Sequence, residues 1–160
     1  MKAVRNLAVL ALVAGLSTVA AAQTATQLVT IQVNAINVIS VSGTPSLTIT
    51  TATAGSAPTS VTDATSSWNV TTNQTGAKIT ASLNSAMPAG LTLSANLGAP
   101  AGATSAGLTA LGTTASDVVT GITKVANGPL GLTYRLDATV AAGVVASTTR
   151  TVTYTITGGT

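Results

Sequence analysis

The sequence predicts an all-β fold, a single antiparallel β-sandwich of about eight to ten strands that follows a cleaved export signal. Short runs of alternating apolar and polar residues recur along the chain, and Gly, Pro, Asn and Ser separate them, as is typical of strands and turns. Thr occupies many of the polar positions, and its branched Cβ favours an extended backbone. After the export signal, no segment has helical periodicity and no unit repeats at a fixed length.

The first 22 residues have the three parts of a secretory signal peptide. Lys2 and Arg5 form a basic start, residues 7–16 form an apolar core, and Ala20-Ala21-Ala22 matches the small-residue site that signal peptidase requires. The apolar core is shorter than the roughly 20 residues that cross a bilayer. We therefore expect cleavage after Ala22, one β-sandwich domain over residues 23–160, no membrane span after cleavage, and a secreted protein, extracellular or periplasmic, at the cell surface.

The alternation defines the individual strands. The first two predicted strands form either one long bent strand or two separate ones. The predicted strands cover residues 27–33, 36–41, 46–50, 67–72, 78–83, 91–97, 108–111, 117–123, 132–139 and 151–157.

The segments between these strands carry the turn signals. Residues 51–66 and 98–106 lack a periodic face and are predicted as loops, and Asn127-Gly128-Pro129 is predicted to turn the chain. The four-residue linker Asn73-Gln74-Thr75-Gly76 joins two alternating runs. It predicts a β-hairpin between residues 67–72 and 78–83.

The charge balance argues against a nucleic-acid partner. Two of the six basic residues, Lys2 and Arg5, belong to the export signal, so the net charge of +3 overstates the basicity of the exported chain. The four that remain are scattered along the sequence, and the negative charges of three Asp residues offset most of their charge. Nucleic-acid binding depends on clustered Lys and Arg that neutralise phosphates, and no such cluster exists.

The inventory of reactive side chains predicts a protein that is not an enzyme. The chain has no His and no Cys, and all three acidic residues are Asp: Asp63, Asp117 and Asp137. The usual general base, thiol nucleophile and transition-metal ligands are therefore missing. Calcium is the one metal whose ligands are present, but no calcium-binding loop motif occurs. We expect no catalytic residue, no cofactor and no metal.

Three side chains have a possible binding or modification role. Trp68 could stack on a sugar, although its alternation in step with Val70 favours a place in the core. A glycan is therefore kept as a possible ligand. Asn69 and Asn73 each begin an N-x-[ST] sequence, the acceptor pattern for N-glycosylation.

The strand-like ends of the exported chain are its remaining positive feature. A terminal strand presents unpaired backbone groups and alternating side chains to another subunit, which is the basis of strand addition. The predicted assembly positions are Leu28, Val29, Ile31, Val33, Val152, Tyr154 and Ile156.

These ends also carry a resemblance. The run Arg150-Thr151-Val152-Thr153-Tyr154-Thr155-Ile156-Thr157, together with Gln27-Leu28-Val29-Thr30-Ile31-Gln32-Val33, resembles the fimbrial and spore-coat-U-like surface proteins of bacteria. The resemblance implies an Ig-like or pilin-like sandwich in which a terminal strand completes the sheet of a neighbour. The chain departs from the fimbrial pattern in having no Cys pair and in ending Gly158-Gly159-Thr160 where an aromatic residue is common.

A second resemblance lies in the middle of the chain. Lys78-Ile79-Thr80-Ala81, followed by Met87-Pro88-Ala89-Gly90-Leu91, is similar to surface proteins of the WxL type, without their signature motif. Two functions are expected from these observations. The first is a structural or adhesive surface protein that associates with itself or with other surface proteins by strand addition. The alternative is a non-catalytic binding module for cell-wall polymer, glycan or another surface protein, with residues 51–66 and 98–106 as the contact surface.

Overall fold

The computed structural model describes residues 22–160, and this part of the chain is all-β. It contains nine strands and a single short 3-10 turn at Val140–Ala142, with no α-helix among the described residues. The predicted signal peptide lies, except for its last residue, outside the described residues. The strands are β1 Asn37–Ser42, β2 Val61–Thr72, β3 Ala77–Leu83, β4 Leu91–Leu97, β5 Thr104–Ser105, β6 Thr109–Ala110, β7 Ser116–Ile122, β8 Val125–Ala138 and β9 Val152–Thr157.

The strands form two antiparallel sheets. The first has the order β1-β2-β8-β4-β6, and the second has the order β5-β7-β3-β9. Inward-facing residues of both sheets, among them Trp68, Ile79, Leu97 and Val119, belong to one buried cluster. Two sheets around a shared apolar core are consistent with the predicted β-sandwich.

The chain divides into two compact units, Met1–Gln32 and Val33–Thr160. Of the first unit the structure describes residues 22–32, which are exposed and contain no strand. All nine strands belong to the second unit. Within residues 22–160, no helix has the length and hydrophobicity that crossing a membrane requires.

The predicted hairpin between residues 67–72 and 78–83 is wrong. Both segments are strands, but β2 pairs with β1 and β8, whereas β3 pairs with β7 and β9. The linker at residues 73–76 therefore carries the chain from one sheet to the other. Both strands alternate because both bury one face in the same core, and that pattern does not distinguish pairing side by side from packing face to face.

The predicted turn at Asn127-Gly128-Pro129 is also wrong, because these residues lie inside β8. On the neighbouring strand, Trp68 is opposite Leu130 and Val70 is opposite Asn127. Two residues of β8 thus face the single residue Asn69 of β2, which is the arrangement of a β-bulge. Bulges accept Gly and Pro within a strand, and the turn-forming residues here mark an irregularity of the sheet.

Two other predicted strands are not strands in the structure. Residues 27–33 and residues 46–50 have the predicted alternation, but neither pairs with another strand in the described part of the chain. In the second of these segments, Leu47 and Ile49 are half-buried and their neighbours are exposed. Within the predicted loop 51–66, β2 already begins at Val61, so the loop is shorter than expected.

Candidate functional site

The described residues form a groove of about 960 Å³ beside the last strand. Its floor is formed by β4 and β8 of the first sheet, and one wall is formed by β9 of the second sheet. The opposite wall is the segment 45–52, whose last residue, Ala52, forms a bridge with Pro58, and the loop at residues 143–151 borders one end. The lining combines hydroxyl side chains, mainly from residues 48–51 and 147–151, with a set of apolar ones: Val41, Leu47, Ile49, Met87, Leu91, Leu93, Leu136, Val145 and Val152.

The groove exists because the second sheet does not cover the whole inward face of β8. Along this strand, Leu132 is 1% exposed and Tyr134 is 7% exposed, whereas Leu136 and Ala138 are only half-buried. All four side chains have the same parity and point to the same side of the sheet. The apolar face of β8 therefore continues beyond the part of the core that the second sheet protects from water.

The strand β9 has an unused edge along this groove. In the described chain β9 pairs with β3 only, and it is the last strand of its sheet. Val152 and Tyr154 line the groove, whereas Ile156 packs against the core beyond it. At that end the side chain of Asn37 donates a hydrogen bond to the carbonyl of Gly158 over 3.4 Å, so β1 approaches the chain just after β9. The groove therefore ends near Ile156, and next to Val152 it is bordered by the loop at residues 143–151.

A pair of tyrosine hydroxyls marks the closed end of the groove. The Tyr154 hydroxyl donates to the Tyr134 hydroxyl over 2.9 Å, and both rings line the groove. Burial raises the pKa of both hydroxyls, and the hydrogen bond that Tyr154 donates to Tyr134 raises the pKa of Tyr154 further, so both are neutral at ordinary pH. Two hydroxyls carry two hydrogens and their mutual bond uses one. None of the hydrogen bonds found in the described residues uses the other.

The segment that forms the second wall is held at its start by Asp63. The carboxylate accepts a hydrogen bond from the Ser46 backbone over 3.1 Å, and two more come from the backbone and hydroxyl of Thr65. These bonds lower the pKa of Asp63 below its usual value, with the Thr65 hydroxyl as the largest cause. Asp63 had been expected in a loop, and it lies instead in β2 at a shift in register.

The loop at residues 143–151 is held by Arg150. Its guanidinium donates to the carbonyl of Ala86 over 3.0 Å, and to Thr148 and the Thr149 carbonyl over 2.9 and 2.8 Å. The one cation of the groove lining thus donates through Nε and Nη1 to neighbouring backbone and hydroxyl groups. Its role in the geometry is to join this loop to the one at Ala86.

The other two acidic residues each form an ion pair with a basic residue, and the two ion pairs lie on different sheets. Asp117 lies 2.9 Å from the Lys78 ammonium on the second sheet, with both side chains 45% exposed. Asp137 lies 2.6 Å from Arg135 on β8 and also accepts a hydrogen bond from Ser60. The hydrogen bond from Ser60, with Arg135 adding to it, lowers the pKa of Asp137. No group of three potential metal-ligating side chains occurs within residues 22–160.

The predicted assembly positions fall into two sets that the structure places differently. Val152, Tyr154 and Ile156 lie on β9, all facing inward. The N-terminal positions lie outside the nine strands, where Leu28, Val29, Ile31 and Val33 have exposed fractions of 96%, 69%, 88% and 81%. Alternation in the sequence identified both sets. It could not identify the groove, because the groove depends on where one sheet ends relative to the other.

Trp68 is fully buried, and its Nε1 donates to the carbonyl of Gly98 over 3.1 Å. It presents no face on which a sugar could stack. Of the two candidate glycosylation sites, Asn69 is exposed on β2 and donates to Ser40. Asn73 accepts from the Ile36 backbone and donates to the Asn34 carbonyl, so its amide is engaged in the structure.

Comparison with known proteins adds no family to these observations. The sequence matches no protein-family model, and neither a curated protein nor a solved structure was found to be similar to it.

Proposed function

We propose that the chain is a secreted structural protein of the cell surface whose copies assemble by strand addition, in an Ig-like or pilin-like sandwich that is completed by a neighbour. The groove beside β9 carries the proposal. It combines an unused strand edge with an apolar floor that the chain itself leaves half-exposed. An added strand would supply both the missing backbone hydrogen bonds and the missing apolar cover.

The occupant that we propose is the segment Gln27–Val33 of a second copy. Val29, Ile31 and Val33 share one parity, so an extended segment directs all three to one side. All three are largely exposed in the single chain. Residues 23–36 contain no charged side chain, which suits a groove whose one cation is engaged elsewhere. Seven extended residues span about 20 Å, the length of an ordinary strand.

Burial supplies the driving force. Each of these side chains gains roughly 1.5–3 kcal/mol when it moves from water into an apolar site. The backbone hydrogen bonds of the added strand contribute as well, and the entropic cost of ordering the segment and of association makes assembly dependent on concentration. The predicted export signal gives the location at which such an assembly would form.

The test compares two substitutions in the exported protein, residues 23–160. Ile31→Asn places an amide on the side that we expect to enter the groove, and Leu28→Asn places the same amide on the other side. Sedimentation velocity over a range of concentrations, with negative-stain electron microscopy, measures the assembly. We expect the wild type and Leu28→Asn to form oligomers or filaments and Ile31→Asn to remain monomeric.

A deletion of residues 23–33 is the second arm of this test. We expect the truncated protein to fold, because all nine strands lie outside the deletion, and to lose self-assembly. A wild-type protein that stays monomeric at high concentration would overturn the proposal. So would assembly that survives the deletion.

A further inference from the structure

Resting on the proposed function, we infer that the added segment runs antiparallel to β9, with Gln27 of the incoming copy against the hydroxyl pair of Tyr134 and Tyr154. This register places Gln27 opposite Tyr154 and Val29 opposite Val152, the first residue of β9. Ile31 and Val33 then lie at the level of Arg150 and Thr148, in the groove-lining loop that precedes β9. Gln27 then sets the register of the assembly, because it is the polar side chain on the otherwise apolar side of the segment.

The unused hydroxyl hydrogen is the first argument for this register. Gln27 has the same parity as Val29, Ile31 and Val33, so it points to the same side of an extended segment. Tyr134 is 7% exposed before any segment is added, and its bond to Tyr154 leaves one hydrogen of the pair unused in the described chain. Covering that hydrogen with an apolar side chain would leave a buried donor without an acceptor. The amide oxygen of Gln27 would accept it.

The position of the donor's own domain is the second argument. In the donor copy, β1 begins at Asn37, a few residues after the segment. A parallel arrangement would direct this folded part toward the closed end of the acceptor groove, where Asn37 of the acceptor already contacts Gly158. The antiparallel arrangement directs it past Val152, away from the contact between Asn37 and Gly158. Only residues 23–26, ahead of Gln27, then face the closed end.

Disulfide trapping tests the register directly, because the chain contains no cysteine of its own. Val152→Cys on one copy is mixed with Val29→Cys on a second copy of different mass, and air oxidation is followed by non-reducing electrophoresis and mass spectrometry. The matched control uses Ile31→Cys in place of Val29→Cys. In a parallel arrangement with Val33 beside the tyrosine pair, position 31 would face Val152. We expect the mixed disulfide with Val29→Cys to exceed that with Ile31→Cys at least tenfold.

A double-mutant cycle tests the role of Gln27. Gln27→Val on the donor is combined with an acceptor in which Tyr134→Phe and Tyr154→Phe remove both hydroxyls together. The dissociation constant is measured between a synthetic peptide of residues 23–34 and a chain lacking residues 23–33. We expect Gln27→Val to weaken binding roughly tenfold on the tyrosine acceptor and less than threefold on the phenylalanine acceptor.

The outcomes separate this inference from the function on which it rests. A dominant disulfide with Ile31→Cys, or an equal effect of Gln27→Val on both acceptors, would overturn the register and leave strand addition in place. A peptide that does not bind either acceptor, with no mixed disulfide in either mixture, would overturn both. A dominant disulfide with Val29→Cys and a coupled cycle would support both.

Discussion

Replacement of Trp68 by Phe tests how the core is built. The indole is fully buried, and its N–H donates to the Gly98 carbonyl. Phe removes that hydrogen bond and leaves the carbonyl without this donor, a loss of about 1–2 kcal/mol. The smaller ring leaves part of the site unfilled, which costs about 1 kcal/mol more. We therefore expect Trp68→Phe to lower the free energy of unfolding by about 2–3 kcal/mol and the Tm by roughly 8–12 °C.

The assay for this substitution is urea unfolding followed by far-ultraviolet circular dichroism. Fluorescence is unsuitable because Trp68 is the only tryptophan. Val144→Ala is the matched control, since Val144 is completely exposed and its truncation should change stability by less than about 0.5 kcal/mol. A Trp68→Phe protein within about 0.5 kcal/mol of the wild type would refute the reasoning. A protein that unfolds at a similar urea concentration but with a changed slope would instead indicate an altered unfolded or native state.

Two further predictions concern the chain around the second wall of the groove. Gly43→Ala should destabilise the fold by about 2–3 kcal/mol in urea unfolding, because Gly43 has a φ of 108° and a Cβ there would lie 2.6 Å from the Ser66 hydroxyl. Gly55→Ala, with a φ of 83° and nothing within 4 Å, should cost only about 1 kcal/mol, and equal costs would contradict this reading. Thermal unfolding should also show stability falling as pH drops below the usual Asp pKa of 3.8 and through the lower pKa of folded Asp63. Asp63→Asn should make that fall shallower, and an unchanged pH profile would contradict the role given to its hydrogen bonds.

The sequence predicted the fold class because alternation reports burial directly. Trp68 and Val70 on β2, and Ile79 and Ala81 on β3, were all expected to point inward, and all four are buried. What alternation does not report is the partner of a strand. Two consecutive strands show the same period whether they pair in one sheet or pack against each other across the core. For this reason a hairpin was predicted where the chain crosses from one sheet to the other.

The turn-forming residues marked an irregularity within a strand, and they did not mark a reversal of the chain. Gly128 and Pro129 were expected to reverse the chain, and the structure uses them as a bulge within β8 opposite Asn69. Asn69 itself approaches so closely that a Cβ on Gly128 would overlap its side chain. The requirement for Gly is therefore set by a residue about 60 positions earlier on another strand, which local sequence patterns do not encode.

The candidate site could be predicted only in part for the same physical reason. The sequence marked Tyr154 and Val152 as inward positions of a terminal strand, but the half-burial of Leu136 results from the second sheet ending short of it. Two predicted strands, residues 27–33 and 46–50, have the right alternation and no partner strand in the described chain. The second of these segments forms a wall of the groove, and the first is the segment that we propose another copy places there.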